Sequence, residues 1–310
     1  MENILKVEKL SKTYKKGRKA LDDLNFTVTK GEILGFLGPN GAGKSTTINI
    51  ISTLLKSNAG TITYFDNPML NIRDIKKRVG VVPQELAIYE DLTAFQNVKF
   101  FASLYGVKNI DLHVEQALER VGLIERKSDK ASTFSGGMKR RLNIACAIAH
   151  SPELIIFDEP TVGIDPQSRN HILESIKQLR ENGATIIYTT HYMEEVQQLC
   201  DRVIIMDGGV VLLNDNLTNI LKNHGELKYQ LQAGAELNDS IVEGIREIHG
   251  IGNVVLDNLD TLSIAMTGES DLSEVLSFLV KRDIHIKRII TKENNLEEVF
   301  LNLTGKKLRD

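Results

Sequence analysis

Two short strings in this chain carry residue types that could act together on a phosphate. GPNGAGKS, at Gly38–Ser45, fits G-x-x-x-x-G-K-[ST], a loop whose backbone N–H groups cradle phosphates. The loop runs through Gly38, Pro39, Asn40, Gly41, Ala42 and Gly43 into Lys44, Ser45 and Thr46. Its glycines let N–H groups turn toward phosphate oxygens with no Cβ in the way. A helix starting near Lys44 adds the positive end of its dipole, about half a charge. Lys44 supplies a full charge to the β- and γ-phosphates, and the Ser45 hydroxyl suits a Mg²⁺ ligand. The second string, LIIFDEP at Leu154–Pro160, is an apolar run ending in two acids. Asp158 can hold a hydrated Mg²⁺ there, and Glu159 can polarise an attacking water. The first string alone leaves the enzyme class open, because many nucleotide enzymes carry it.

These groups need elements that bring them together. EILGFLG is a short, nearly continuous apolar run, as expected of a strand buried on both faces, and it leads into the loop. Ser45–Leu55 then reads as a helix. LIIFDEP and ATIIYTTH read as two more buried strands, and VIIMDGGVVLLN as a hairpin about a glycine turn. ILKVEKLSKTY and KALDDLNFTVTKG alternate with period two, the pattern of half-buried strands. From about Asp91 to Ala149 the spacing is helical, as in NVKFFASLYG and HVEQALERVGL. The expectation is an α/β core in residues 1–215 carrying a helical subdomain at about 85–150.

Beyond Asp207-Gly208-Gly209 the character changes to short alternating runs between polar turns, and all six prolines lie in the first 166 residues. NDNLTNILKNHGE is expected to be a helix and connector, with the connector at 216–226. Residues 227–310 read as LKYQLQ (strand), SIVEGIREIHG (helix), NVVLDNL and TLSIAMTG (strands), LSEVLSFLVKRD (helix) and IHIKRIIT (strand). That is the β-α-β-β-α-β order of a ferredoxin-like α+β domain, with LEEVFLNLTG as a closing helix.

Bulk properties bound the reading. The 310 residues are 42% hydrophobic and 25% charged, enough for two ordinary cores. A net charge of −3 makes no global case for nucleic-acid binding. Cys146 and Cys200 have no metal-ligand spacing, and Cys146, within NIACAIA, reads as a small buried residue. No disulfide framework is implied, as fits a reducing cytoplasm. The N-terminus lacks a signal-peptide pattern, and no run approaches the roughly 18 apolar residues of a membrane span. A transport function would borrow its membrane path from another polypeptide.

Residues 1–215 resemble the ATP-binding cassette of ABC transporters, motif by motif and in order. Gly38–Ser45 matches the phosphate loop, and Ser135, Gly136 and Gly137 in FSGGMKRRL match the signature turn. Leu154–Glu159 matches the second Walker motif. Gln84 in VVPQE is similar to the glutamine that senses Mg²⁺ and the attacking water. Asp165 in GIDP matches the loop at the dimer seam, and His191 in YTTHYMEE resembles the histidine that contacts the γ-phosphate. Tyr14 in SKTYKKG resembles the aromatic that stacks on adenine. Taken singly, Tyr14 reads as a strand-end tyrosine, Gln84 as a turn residue and His191 as a strand cap; their order carries the resemblance. The implied fold is a RecA-like core with an antiparallel β subdomain and a helical subdomain.

The signature departs from the commonest LSGGQ at Phe134 and Met138, so Met138 is assigned no nucleotide contact. This SGGM variant, with the tail NNLEEVFLNLTGKKLRD, resembles the daunorubicin-resistance type of exporter ATPase. The resemblance implies an enzyme that hydrolyses ATP with Mg²⁺, held at Ser45, Gln84 and, through water, Asp158. It further implies a homodimer in which each ATP lies between one copy's phosphate loop and the other's Ser135–Gly137. Glu159, His191 and Gln84 are the expected catalytic residues. The partner implied is a separate integral-membrane permease, docked around Glu85–Asn97, with the chain on the cytoplasmic face of the membrane and no nucleic acid bound. The basic run Lys15–Lys19 reads as a solvated turn, with attraction of a nearby phosphate as the lesser reading, and Lys139–Arg141 as mostly solvated surface whose place at the signature helix permits a seam role. Two alternatives remain at this point: a soluble ABC ATPase acting on ribosomes or DNA, and a ligand-gated ATPase whose C-terminal domain is a small-molecule sensor.

Overall fold

The apolar and alternating runs form strands where their periodicity places them, and the helices fill the intervals. A computed structural model describes residues 2–224, 227–266, 272–292 and 295–305. In chain order, β1 (Asn3–Thr13), β2 (Lys19–Thr29) and β3 (Ile33–Leu37) precede α1 (Lys44–Ile51), β4 (Ala59–Tyr64), α2 (Ile72–Arg78) and β5 (Val79–Val82). Then come α3 (Ala94–Ser103), α4 (Ile110–Arg120), α5 (Gly136–Ile148), β6 (Leu154–Asp158), α6 (Pro166–Glu181) and β7 (Thr185–Thr190). The order continues with α7 (Met193–Leu199), β8 (Arg202–Asp207), β9 (Val210–Asn216) and α8 (Leu217–His224). Last are β10 (Leu227–Ala233), α9 (Asp239–Arg246), β11 (Ile251–Asn258), β12 (Thr261–Met266), α10 (Leu272–Val280), β13 (Ile286–Lys292) and α11 (Leu296–Thr304).

The described chain forms two units, residues up to 217 and 218–305. The first holds a six-stranded sheet of order β5-β6-β7-β3-β8-β9 and a three-stranded antiparallel sheet of order β2-β1-β4. In the larger sheet β5, β6, β7, β3 and β8 are parallel, and β9 closes the edge as the antiparallel arm of the hairpin. Every residue of β3 and β7 is buried, which explains their unbroken apolar runs. The sequence reading assigned neither β4 nor β5 a strand. β4 is largely exposed and β5 has only four residues, too few for a period to show. α1 ends at Ile51, short of Leu55, where Ser52 caps it and Thr53 turns to φ +63°.

Two expectations for the helical region need correction. Residues 83–93 contain no helix, because Thr93 starts α3 with a capping box shared with Gln96. Asn97, fully buried, donates to the Tyr89 and Thr93 carbonyls and accepts from the Tyr89 N–H, so it pins the preceding loop. Lys139–Arg141 is not all solvated surface either. Arg140 is buried and donates to the Pro83 carbonyl at 3.0 Å, which ties α5 to the segment after β5. Cys146 is buried as expected.

The second unit has an antiparallel sheet of order β11-β12-β10-β13. Leu231, Val254, Leu262 and Ile264 form its core with Val242 and Ile245 of α9 and Val275 and Leu279 of α10. This is the strand order of the β-α-β-β-α-β expectation. α8, expected to be part of a connector, groups with this unit. Gly225 and Glu226 of the connector, the end of TLSIAMTG, Asn294 and the closing KKLRD lie outside the described residues. Among the described residues, no helix is long and apolar enough to cross a membrane.

At the junction of α3 with the end of α5, the Tyr105 and His150 rings stack with centroids 3.8 Å apart. Burial pushes the His150 imidazole down to about 4, against the smaller upward effect of the Val79 carbonyl. The unfolded chain takes up this proton near pH 6.5, about the ordinary value, and the folded chain only near the lowered one. Stability from neutral His150 is therefore complete above pH 6.5 and lost as pH falls through that window, by about 2 kcal/mol at pH 5. Denaturant melts of the wild type at pH 7 and 5 should show this loss, and His150→Phe, which keeps a stacked ring, should show less of it.

Candidate active site

The parallel register places the chemistry-bearing segments at one edge of the large sheet. Leu37 of β3 pairs with Thr190 of β7, and Asp158 of β6 pairs with Thr189. The loop after Leu37, the acids at Asp158 and Glu159, and His191 after Thr190 therefore leave adjacent strands at the same end. Ligands of open α/β sheets bind at this carboxyl end of the strands.

The loop is shaped by its glycines. A Cβ on Gly38 would lie 2.3 Å from the Met206 carbonyl oxygen. Gly43 caps α1 with φ +107°, and a Cβ there would meet Leu21 Cδ2 at 2.7 Å. At Gly38 and Gly43 the cradle is thus backbone packed against β8 and β2, with no room for a side chain. It opens into a cleft of about 590 Å³ lined by Tyr14, Pro39–Thr46, Gln84 and Glu159, and also by Lys15, Arg18 and Ala20. Lys15 and Arg18 remain exposed, and their place in the cleft lining favours the second reading of the basic run, attraction of a phosphate. The Tyr14 N–H donates to the Arg18 carbonyl at 2.8 Å, so the turn folds these side chains onto the cleft wall. Their charge and nearness to Tyr14 were the available signal.

Lys44 is buried, and its ammonium donates to the Gly38 carbonyl at 2.6 Å and lies 3.8 Å from Glu159 Oε1. Burial lowers its pKa, opposed by the charges of Glu159 and Asp158. Asp158 shifts upward, again mainly through burial, although the Thr189 hydroxyl donates to it at 2.8 Å and works the other way. Glu159 adopts a left-handed backbone, φ +46°, a conformation costing about 1–2 kcal/mol for a residue with a Cβ. Its N–H donates to both the carbonyl and the hydroxyl of Thr189, at 3.1 and 3.0 Å, which holds it there. Thr189 thus orients both acids, a role the sequence reading missed because a threonine inside a buried strand carries no pattern of its own.

Around the Glu159 carboxylate stand three polar side chains. Gln84 Nε2 donates to Oε2 at 3.4 Å, His191 Nδ1 lies 3.4 Å from the same oxygen, and Lys44 faces Oε1. The His191 contact is not aligned as a hydrogen bond, so Nδ1 is buried without a partner. Tyr14 presents its half-exposed ring at the mouth, its hydroxyl 3.3 Å from Thr46 Oγ1. The site therefore joins a phosphate-sized backbone cradle, a cation and a carboxylate able to order water.

Ser135, Gly136, Gly137 and Asp165 do not line this cleft. Ser135 caps α5 by accepting from the Met138 N–H, and Asp165 caps α6 by accepting from the Ser168 N–H. A Cβ on Gly137 would lie 2.2 Å from Ser168 Oγ, so the two helix starts touch and form a patch separate from the cleft.

A family model described as ABC transporter matches residues 21–162. The linearmycin resistance ATP-binding protein LnrL of Bacillus subtilis is 44% identical, over 99% of this chain and 100% of its own. The chain belongs to the ABC transporter ATP-binding proteins. The daunorubicin/doxorubicin resistance ATP-binding protein DrrA of Streptomyces peucetius is 31% identical over 93% of this chain and 89% of its own. Among solved structures, cbiO1 of the ABC transporter complex cbiONQ from Clostridium perfringens matches with a TM-score of 0.65 and 30% identity. That match covers 72% of this chain and 94% of the other. The cassette is thus an ATP-binding, ATP-hydrolysing subunit of the exporter type, akin to the daunorubicin-resistance ATPases.

Two glycine substitutions should separate the cradle from ordinary turns. Gly43→Ala should weaken ATP binding by about tenfold or more, about 1.4 kcal/mol, measured by calorimetric titration. Gly31→Ala, also at positive φ but with nothing within 4 Å, should cost only about 1–2 kcal/mol of stability and leave ATP affinity unchanged.

Proposed function

We propose that the cassette powers a two-component exporter, pairing head to tail with a second copy and docking on a separate membrane permease at the cytoplasmic face. The observation that carries this reading is the surrounding of Glu159 by Lys44, Gln84 and His191 at the mouth of the glycine cradle. In the reaction, Tyr14 stacks on adenine, the loop N–H groups and Lys44 hold the phosphates, and Glu159 orients the attacking water. His191 and Gln84 position the terminal phosphate and the water. Catalysis then comes from positioning and charge stabilisation.

The donors at the loop fit a hydrated Mg²⁺. Ser45 lines the cleft and Asp158 adjoins Glu159, giving hard oxygen ligands of the type this ion takes, with Gln84 beside them. The ion would neutralise phosphate charge. Head-to-tail pairing is supported by the separation of the Ser135–Gly137 and Asp165 patch from the chain's own cleft. In a dimer that patch would close over the partner's nucleotide, with the Ser135 hydroxyl and the helix start of α5 facing the γ-phosphate.

A groove of about 330 Å³ supports the reading of a docked permease. It is lined by Leu54, Ile75, Val81, Pro83, Ala87 and Phe101 among others, with Leu86, Tyr89 and Phe100 exposed nearby. Pro83 and Ala87 of its lining flank Gln84 in the chain, so a partner seated there would lie next to the segment that carries this glutamine. The relatives' names, resistance to linearmycin and to daunorubicin/doxorubicin, favour a drug-type cargo.

Glu159→Gln should cut turnover by about 10²–10⁴ while ATP still binds. The 34.6 kDa chain should then sediment as a dimer in ATP and as a monomer without it. Near-normal hydrolysis would remove Glu159 from its role, and a monomer in ATP would overturn the pairing.

A further inference from the structure

The seam residue Asp165 and the active-site residue His191 stand on different elements, and a buried polar cluster joins those elements. Glu195, in the first turn of α7, is 1% exposed. Its Oε2 accepts from the Tyr188 hydroxyl at 2.8 Å and the Thr190 hydroxyl at 2.9 Å. Thr190 Oγ1 in turn accepts from the Tyr192 N–H at 3.0 Å. Glu195, which follows His191 in the chain, therefore grips the strand end before it, and Thr190 ties Tyr192 to the same point. Burial, and next the Glu195 charge, holds the Tyr188 phenol well above its ordinary range, so it stays a donor.

A second arm reaches the same place from α6. Arg169 lies one turn after Asp165, its N–H donating to the Asp165 carbonyl at 2.9 Å. Its Nε is 3.5 Å from Glu195 Oε1, and its guanidinium carbon is 4.5 Å from the centre of the Tyr192 ring. That ring packs against the His191 ring, centroids 4.2 Å apart. The His191 Nδ1 itself has no hydrogen-bond partner, so no bond at that nitrogen sets the orientation of the imidazole. The segment and the neighbouring Tyr192 ring constrain it.

We propose that Glu195 and Arg169 are positioning residues that lock residues 188–192, so that the His191 ring stays beside Glu159, and that Arg169 carries the constraint from the helix opened by the GIDP loop. This rests on the reading of His191 as an active-site residue. A buried ion pair placed only for stability would be matched by well-packed apolar side chains. Here both hydrogen bonds of the carboxylate go to the strand end that leads into one histidine.

The test uses the full chain with saturating ATP and Mg²⁺. Glu195→Ala should lower kcat by about 10- to 100-fold, the scale of a misplacement of about 1 Å, with ATP affinity within about twofold of wild type. Glu195→Gln, which keeps an acceptor for both hydroxyls, should restore most of the rate. In a His191→Ala background, Glu195→Ala should change kcat by less than about twofold, because groups acting as one unit are not additive. Equal losses in both backgrounds, or an ATP affinity that falls in step with kcat, would overturn the proposal. Should Glu195→Ala fail to fold, Thr190→Val, nearly the same shape without the hydroxyl, decides the matter: a rate loss confined to the His191 background supports it and an unchanged rate refutes it. Unchanged turnover in His191→Ala alone would overturn both this proposal and the reading beneath it. Loss there with full activity in Glu195→Ala would overturn the positioning role alone.

Discussion

The parallel register of β6, β7 and β3 is the constraint on which the rest of the first unit depends. Backbone hydrogen bonds set Leu37 opposite Thr190 and Asp158 opposite Thr189. Because side chains alternate faces along a strand, a slip of one residue would turn Asp158 or Thr189 to the other side of the sheet. Thr189 could then no longer hold both acids, and His191 would leave the neighbourhood of Glu159. Buried apolar side chains on both faces of β3 and β7 make such a slip costly, so the core itself guards the geometry of the site.

That geometry places charges where water would ordinarily solvate them. Lys44 and Glu159 are both buried, and burial opposes the charged form of Lys44 and of Asp158. A buried pair of this kind gives little stability compared with apolar packing. Its value lies in preorganisation: the ammonium, the carboxylate and the glycine loop are gathered at one cleft before any reaction begins. The left-handed backbone at Glu159 belongs to the same arrangement, since the two Thr189 bonds hold it in a conformation it would not adopt freely.

The helical region and the seam extend this frame outward. Arg140 links α5 to the Pro83 carbonyl next to Gln84, and the close approach of Gly137 to Ser168 joins the starts of α5 and α6. The turn at Ser135–Gly137, the start of α6 and the segment before Gln84 are thus linked through packed helices. An arginine in the apparently solvated run KRR becomes structural because a carbonyl awaits it, and composition carries no sign of that.

The sequence by itself determined the chemistry and much of the element order. GPNGAGKS names a phosphate cradle by its glycine and lysine spacing, and the acids of LIIFDEP gain meaning only beside it because paired carboxylates at a strand end are often merely solvated. The buried runs of β3, β6 and β7 announce themselves by length and apolarity. Local patterns did not reveal β4 and β5 or the non-helical loop ending at Thr93, and they left open the place of Lys15 and Arg18 on the cleft wall. Those depend on edge exposure, a capping box and a folded turn. Only the tertiary structure decided which groups meet: Thr189 under both acids, Glu195 and Arg169 around His191, and the signature apart from its own cleft. The physical reason is that these contacts join strands and helices far apart in the chain, through side chains whose types have many other uses.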